Sequence, residues 1–241
     1  MPLPLTTTSL ILASGQSPDF MIHGLINFEL FGQSLWITTT HVSMLLVMAV
    51  LILVACIIRS KLKAPDETPG MLQSFAEIGI EMLHNMVESI MGGNAGKYMN
   101  YIGTIFLFIL LSNISGIFGL RPPTADFGVT LPMGLMTFCI VQYNNIKNNK
   151  FGAFTSLFEP VPFLFPINLI GEIATPFSLG LRLFGNIISG TVIVALFYGM
   201  VPLLFKIGVP AVLHVYFDLF SGCIQAYVFC MLSMVFINDK L

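Results

Sequence analysis

Residues 162–200 form a run of 39 mostly apolar residues in which the only charged side chains are Glu172 and Arg182. At 1.5 Å per residue, a continuous helix of this length would be about 58 Å long. A hydrocarbon core is only about 30 Å thick, so such a helix must tilt steeply, bend at Pro166 or Pro176, or project from the bilayer. The run predicts an integral membrane protein.

The rest of the chain is similarly apolar. Of its 241 residues, 56% are hydrophobic and 9% are charged, against about 25% charged in an ordinary soluble domain. Strand-like alternation is not sustained, which favours helices over a barrel. We predict an all-α fold of about five transmembrane helices, at residues 41–58, 101–120, 129–143, 162–200 and 209–238.

Basic residues set the expected orientation. Arg59, Lys61 and Lys63 follow the first span, and Lys147 and Lys150 follow the third, so the positive-inside rule places both sites in the cytoplasm. We therefore expect the N-terminus outside and the C-terminus inside. Residues 1–35 would be an outer segment, and residues 36–241 a single membrane domain.

Residues 71–91 are predicted to form an amphipathic helix lying at the cytoplasmic interface, after the turn at Pro69 and Gly70. Its apolar stripe comprises Leu72, Phe75, Leu83, Met86 and Ile90, and its polar face comprises Glu77, Glu81, His84 and Glu88.

Several partner classes are not expected. The formal net charge is -2 and no basic cluster is dense enough to suggest nucleic acid. The four cysteines lie in apolar stretches without metal-ligand spacing, so we expect no metal site and no bound cofactor. Membrane lipid is the expected surrounding.

Arg182 lies near the middle of the long apolar run. At the centre of a membrane helix, an arginine raises the free energy of membrane insertion by about 2.5–3.5 kcal/mol. At 100° per residue, Arg182 shares a helix face with small or polar residues, namely Asn168, Gly171, Thr175, Ser178, Asn186 and Ser189. Such a face lets another helix pass close to the guanidinium. The alternative is ordinary close packing around an internally paired arginine.

Polar residues also line the last span, where His214, Asp218, Ser221 and Gln225 recur at i, i+4, i+7 and i+11. On a regular helix they share one face that runs from the outer surface to mid-membrane, as an ion path would. The alternative is that His214 is a core residue whose ring nitrogens form hydrogen bonds within the protein. Glu172 lies on the cytoplasmic side of Arg182, as part of an inner path or as an interfacial glutamate. Asn113, with Ser112 and Ser115, would hydrate the outer path or bond a neighbouring helix.

Together these residues describe two half-paths separated by a fixed positive charge. An arginine suits this role because burial hardly neutralises it. A carboxylate on a moving partner would release its ion beside Arg182 and be reloaded from the other path. A membrane potential of 100 mV would supply about 2.3 kcal/mol per charge.

The segment PFSLGLRLFGN at 176–186 closely resembles the signature of the F-type ATP synthase a subunit family. The resemblance extends to DFGVTLPMGL at 126–135, LLSNISGIFG at 110–119 and IQAYVF at 224–229, and covers about residues 36–238. It implies a non-catalytic stator subunit of a bacterial plasma membrane. Its partners would be a ring of c subunits, b-type stator subunits and the soluble ATPase sector, and the translocated ion would be H+ or Na+.

The resemblance also assigns roles to individual residues. Arg182 would be the essential arginine facing the ring, on a long tilted pair of helices, with Gln225 near it. Asn113 matches an outer polar position and Glu172 an inner acidic one. Some members carry a glutamate nine residues after the arginine, paired with a histidine on the last helix, where this chain has Thr191 and Asp218. We expect Asp218 to take over the entry role.

Two other classes of membrane protein have intramembrane charges. A secondary transporter would show repeats and paired broken helices, which are not evident here, and a mid-membrane carboxylate that binds the ion is absent. A structural scaffold would leave Arg182 and Asp218 unexplained.

Overall fold

The computed structural model describes residues 24–30, 33–62, 70–149, 163, 165–200, 212–213 and 215–241. Six α-helices dominate these residues. They are α1 (Thr39–Lys61), α2 (Met71–Met91), α3 (Ala95–Ile114), α4 (Phe127–Asn149), α5 (Phe165–Met200) and α6 (Gly222–Asp239). Short 3-10 turns, Ser115–Phe118 and Pro123–Ala125, connect α3 to α4.

An antiparallel hairpin precedes α1, and the sequence pattern did not predict it. Strand β1 (Gly24–Leu30) pairs with β2 (Gln33–Thr38), with Asn27 opposite Trp36 and Leu30 opposite Gln33. The strands are short and their alternation of apolar and polar residues is broken, so the period-2 signal is weak. The membrane-spanning part is nevertheless all-α.

Four segments of the described chain are long and apolar enough to cross a membrane: Thr39–Lys61, Met71–Phe118, Phe165–Phe197 and Val215–Asp239. The predicted span at 129–143 is a helix, α4, but does not belong to this set. Its polar residues lower its hydropathy, and several of them are buried in the protein, including Thr130, Thr137, Asn144 and Asn145. Because neighbouring helices cover these groups, α4 does not need an apolar surface all round.

Helix α2 has the predicted bounds, but only part of the predicted apolar stripe faces the protein. Leu83, Val87 and Met91 are buried, whereas Leu72 and Phe75 are exposed. The acidic face is exposed, as expected for this amphipathic pattern. The second half of α2 therefore packs on the core, and its first half presents apolar side chains outward.

Helix α5 continues unbroken past Pro176 and crosses α4 at very short range. A Cβ atom added at Gly134 would lie 2.5 Å from the carbonyl oxygen of Pro176, and one at Gly180 would lie 3.1 Å from the Cα atom of Leu131. Gly134 has no room for a side chain unless the backbone shifts, and at Gly180 the backbone of α4 would have to move by a few tenths of an ångström. Small residues thus bring the two helix backbones together beside Arg182, as is common between membrane helices.

The core lies where α3, α5 and α6 meet, around residues such as Ile102, Leu183 and Phe229. Polar side chains bond helices across it. The hydroxyl of Tyr98 donates to Asn144 Oδ1 at 2.8 Å, and the hydroxyls of Tyr101 and Thr137 are 2.9 Å apart. In a hydrocarbon environment such interhelical bonds contribute about 0.6 kcal/mol each on average.

A π-helical segment, Val215–Ser221, leads directly into α6. Its i→i+5 bonding gives a wider turn than an α-helix, and π segments are frequent at functional sites. Asp218 and Ser221, both predicted path residues, lie in it.

Candidate ion path

Arg182 lies on the outward face of α5. It is exposed, whereas its neighbours Leu179 and Leu183 are buried in the core. Among the described residues, none forms a hydrogen bond or a salt bridge with its guanidinium. It borders an open groove of about 730 Å³ lined by Ile170, Ile173, Ala174, Phe177, Ser178, Leu181 and Arg182. The internally paired arginine considered above is therefore not found in the described part of the chain.

A second recess, of about 620 Å³, holds Glu172 and lies where α5 begins and α6 ends. We call it the Glu172 cavity. It is lined by residues of α4, α5 and the end of α6, including Thr137, Gln142, Asn168, Gly171, Thr175, Asp239 and Lys240. Gln142 Nε2 donates to Glu172 Oε2 at 3.3 Å, so the carboxylate is bonded to protein and also faces the cavity.

Pro176 interrupts the backbone hydrogen bonding of α5 one turn after Glu172. A proline inside a helix has no N–H for the carbonyl four residues earlier, and Pro176 lies inside α5. The usual i+4 hydrogen bond to the carbonyl oxygen of Glu172 is therefore missing from α5.

The polar stripe predicted around Arg182 divides into three parts in the structure. Asn168, Gly171 and Thr175 line the Glu172 cavity, and Ser178 borders the groove together with Arg182. Asn186 faces the π segment, where its Oδ1 accepts from the hydroxyl of Ser221 at 2.8 Å. The stripe therefore runs from the cavity, past Arg182, to the residues next to Asp218.

The described path residues of the last span contact different parts of the protein. The carboxyl of Asp218 packs against Gly116, where an added Cβ atom would lie 3.1 Å from its Cγ atom, while Ser221 bonds α5. Gln225 is buried in the bundle, with 8% of its surface exposed. Asp218 and Ser221 lie in the π segment, whose turn is wider than that of an α-helix. His214 lies outside the described residues.

Asn113 forms a buried bridge between α3, α6 and the turn before α4. Its Nδ2 donates to the carbonyl oxygen of Gly222 at 2.9 Å, and its Oδ1 accepts from Thr124 Oγ1 at 2.7 Å. The side chain is fully buried. The structure thus shows the interhelical bond that was one of the two readings of this residue.

Thr191 lies beside the point where α5 meets the π segment. The adjacent Gly190 is so close to Phe217 that an added Cβ atom would lie 3.1 Å from its Cβ atom. The hydroxyl of Thr191 donates to the carbonyl of Ile188 at 2.9 Å, within its own helix. Thr191 is therefore near the segment that carries Asp218 but has its hydroxyl bonded locally.

Several buried polar atoms near this face have unused hydrogen-bonding capacity. Ser112 Oγ, Asn186 Nδ2 and Gln225 Nε2 have no hydrogen-bond partner within the described residues. A buried polar group without a partner is costly. The hydroxyl of Ser112 can donate to water or accept from it, whereas the amide N–H groups of Asn186 and Gln225 can only donate, to water or to a carboxylate.

Sequence reasoning did not find Gln142, Thr124, Asp239 or Lys240, which the structure places at these sites. A signal existed for α4, in which buried polar residues recur every seven positions at Thr130, Thr137 and Asn144. No comparable pattern marks residues 239 and 240, because their place in the cavity depends on the tertiary fold.

Most of the chain is similar in sequence to known proteins. Residues 41–238 match the family model described as ATP synthase A chain. The sodium ion specific ATP synthase subunit a of Propionigenium modestum is 39% identical over 222 residues, which cover 85% of this chain and 74% of the relative.

Two further relatives bear the name ATP synthase subunit a. That of Moorella thermoacetica is 34% identical over 173 residues, covering 71% of this chain and 77% of the relative. The subunit of Priestia megaterium is 35% identical over 187 residues, which cover 71% of this chain and 79% of the relative. The chain therefore belongs to the ATP synthase A chain family of membrane-sector subunits.

Proposed function

We propose that this chain is the stator part of the ion channel in a rotary ATP synthase, with two half-paths for H+ or Na+ separated by Arg182. The observation that carries the proposal is the position of Arg182. It is an exposed cation without a salt-bridge partner in the described chain, on a groove between the Glu172 cavity and the Asp218 region. An unpaired arginine within the membrane is costly, so a partner outside this chain should supply the counter-charge.

A carboxylate on each c subunit of the ring would be that counter-charge. The groove is open and mostly apolar, as a surface that slides past a ring of helices requires. As a carboxylate approaches Arg182, the positive charge favours its ionised form and releases the bound ion. The b-type stator subunits would hold the chain in place against the torque.

The inner half-path would lead through the Glu172 cavity, and Thr175 would face the ion on its way to Arg182. The outer half-path would pass Asp218, Ser221 and Asn186, with Gln225 at its inner end. His214 would belong to the outer entrance. Asn113 would support this path by fixing the start of α6.

The orientation follows from the basic residues. Lys61 and Arg59 end α1 and Lys147 lies in the last turn of α4, so these ends would be cytoplasmic. The Glu172 cavity, near Asp239 and Lys240, lies at this side. In a bacterium the membrane would be the plasma membrane.

One set of experiments can test both the identity of the translocated ion and the role of Arg182. One relative is named as sodium ion specific, which makes Na+ a candidate beside H+. Inverted vesicles that contain the whole ATP synthase should show ATP-driven ion uptake, and Arg182→Ala should abolish it whichever ion is carried. If the Arg182→Ala enzyme assembles and still pumps at the wild-type rate, the proposal is wrong.

The same vesicles identify the ion. A Na+ enzyme should take up radioactive Na+ upon ATP addition even when a protonophore is present, whereas an H+ enzyme should acidify the vesicle interior without added Na+. Glu172→Gln should slow uptake of either ion at least about tenfold, which corresponds to about 1.4 kcal/mol of barrier.

A further inference from the structure

Asp239 and Lys240 line the Glu172 cavity opposite α5, although neither belongs to the stripe around Arg182. We propose that these two residues form a charged rim of the inner half-path and set the local concentration of cations that reach Glu172. This inference rests on the proposed function of the cavity. It assigns a role in ion supply to side chains at the end of α6.

The position of the rim is fixed by hydrogen bonds to two other helices. Asn148 of α4 donates through Nδ2 to the carbonyl oxygens of Lys240 at 3.0 Å and Leu241 at 2.8 Å. Asn238 donates through its side chain to the carbonyl of Ile90 at the end of α2, at 3.2 Å. The end of α6 is thus held in place at the cavity.

The two charges of the rim are differently placed. The side chain of Lys240 is 29% exposed and that of Asp239 is 72% exposed, and their charged atoms are 3.9 Å apart. A pair of this kind with one well-exposed partner gains little from its mutual attraction. The potentials of the two charges add and partly cancel in the cavity, so removal of either charge changes the potential by that charge's own contribution. The better-covered ammonium is less screened by solvent.

The charge of each residue determines whether it raises or lowers the concentration of cations in the cavity. Lys240 repels cations from the cavity, and Asp239 attracts them. A unit charge about 8 Å from a reacting group in water changes the local concentration of a monovalent ion about twofold, and in opposite directions for a cation and an anion. The ratio of the two concentrations should thus change about fourfold when one rim charge is removed.

A reporter thiol in the cavity measures this ratio. In the complete ATP synthase, the cysteines at 56, 139, 223 and 230 would be replaced and Thr175→Cys introduced, since Thr175 lines the cavity. In inverted vesicles, the reaction rates of a cationic and an anionic methanethiosulfonate of similar size would be compared. Lys240→Gln should raise the cation-to-anion ratio about fourfold, and Asp239→Asn should lower it by two- to fourfold.

Two controls separate electrostatics from shape. Lys147→Gln removes an exposed lysine that does not line the cavity and instead lies 5.9 Å from the ring centre of Tyr143, and it should leave the ratio unchanged. At 1 M salt, where the screening length falls to about 3 Å, the effects of both rim variants should disappear. A distortion of the cavity, in contrast, would change the reaction rates of both reagents by the same factor, and this change would persist at 1 M salt.

The inference is overturned if the ratio is unchanged in both rim variants, if it changes without regard to salt, or if the thiol at 175 reacts with neither reagent in inverted vesicles. Failure of the proposed function looks different. In that case Glu172→Gln would leave ATP-driven uptake intact, whatever the thiol measurement shows.

Discussion

At the scale of single residues, the two half-buried carboxylates predicted for the ion path have different surroundings. Glu172 accepts a bond from Gln142 and faces a cavity of about 620 Å³. Asp218 packs against Gly116 and the turn after α3, beside the contact between Ser221 and Asn186. One carboxylate thus faces an open recess, and the other lies in a close-packed junction.

Asp218 should be needed for transport, because this chain has Thr191 where some relatives of the family carry an acid. We expect Asp218→Ala to slow ATP-driven uptake in inverted vesicles at least about tenfold, or about 1.4 kcal/mol. Thr191→Ala, which removes a hydroxyl bonded within its own helix, serves as the matched control and should retain most activity. Normal pumping by Asp218→Ala would refute the entry role.

Asn113 should matter chiefly for stability. In Asn113→Ala, the hydroxyl of Thr124 and the carbonyl of Gly222 lose their buried partner, at a cost of about 1–3 kcal/mol. Asn238→Ala removes a comparable interhelical bond from an exposed side chain and should cost less. Thermal denaturation of the complex in detergent would compare the two, and an equal shift of midpoint would contradict the assigned bridge.

At the scale of helices, the crossing of α4 and α5 holds the segment that carries Arg182. Gly134 and Gly180 allow backbone contact, and a side chain at Gly134 would collide with the carbonyl of Pro176. This carbonyl is one turn from Glu172 along α5. A change in the crossing should therefore displace the cavity wall and the groove together.

Gly134→Ala should consequently destabilise the protein by about 1–3 kcal/mol, the usual cost of overpacking, and lower pumping as well. Gly103→Ala in α3 is the matched control, since an added Cβ atom there has no neighbour within 4 Å. Thermal stability and ATP-driven uptake would be measured for both. Wild-type behaviour of Gly134→Ala would show that the crossing is looser than described.

Helix periodicity predicted some elements well and others poorly. The bounds of α2 agree because Gly70 precedes the helix and Gly92, at φ +52°, ends it. The π segment could not be foreseen, since its residues read as an ordinary helical pattern. The predicted common face also did not specify the contacts of Asp218 with Gly116 and of Ser221 with Asn186.

At the scale of the whole chain, the sequence predicted the fold class and the family well. It predicted poorly which side chains form hydrogen bonds between helices. Its apolar runs predicted an all-α membrane fold, and its motif predicted the family that the comparison shows. The bonds of Gln142 to Glu172 and of Thr124 to Asn113 join residues 30 and 11 positions apart. No local pattern encodes such pairs, because they arise only once the helices have packed.

The chain should not transport ions in a coupled way without its partners. Arg182 faces outward onto an open groove, so the two proposed half-paths would join only through a carrier on another subunit. Purified chain in liposomes should show no ATP-dependent uptake, whereas the complete complex should. Copurification with a small ring-forming hydrophobic protein would support the assignment, and coupled uptake by the chain alone would favour a self-sufficient transporter.

The separating role of Arg182 is tested most directly by passive ion flow through a complex whose rotor cannot turn. Vesicles that carry the intact ATP synthase, without nucleotide, would be given an ion gradient, and the efflux would be compared between wild type, Arg182→Lys and Arg182→Ala. We predict that the wild type stays tight, that Arg182→Lys leaks little, and that Arg182→Ala conducts ions between the two half-paths. An assembled Arg182→Ala complex as tight as the wild type would contradict the account.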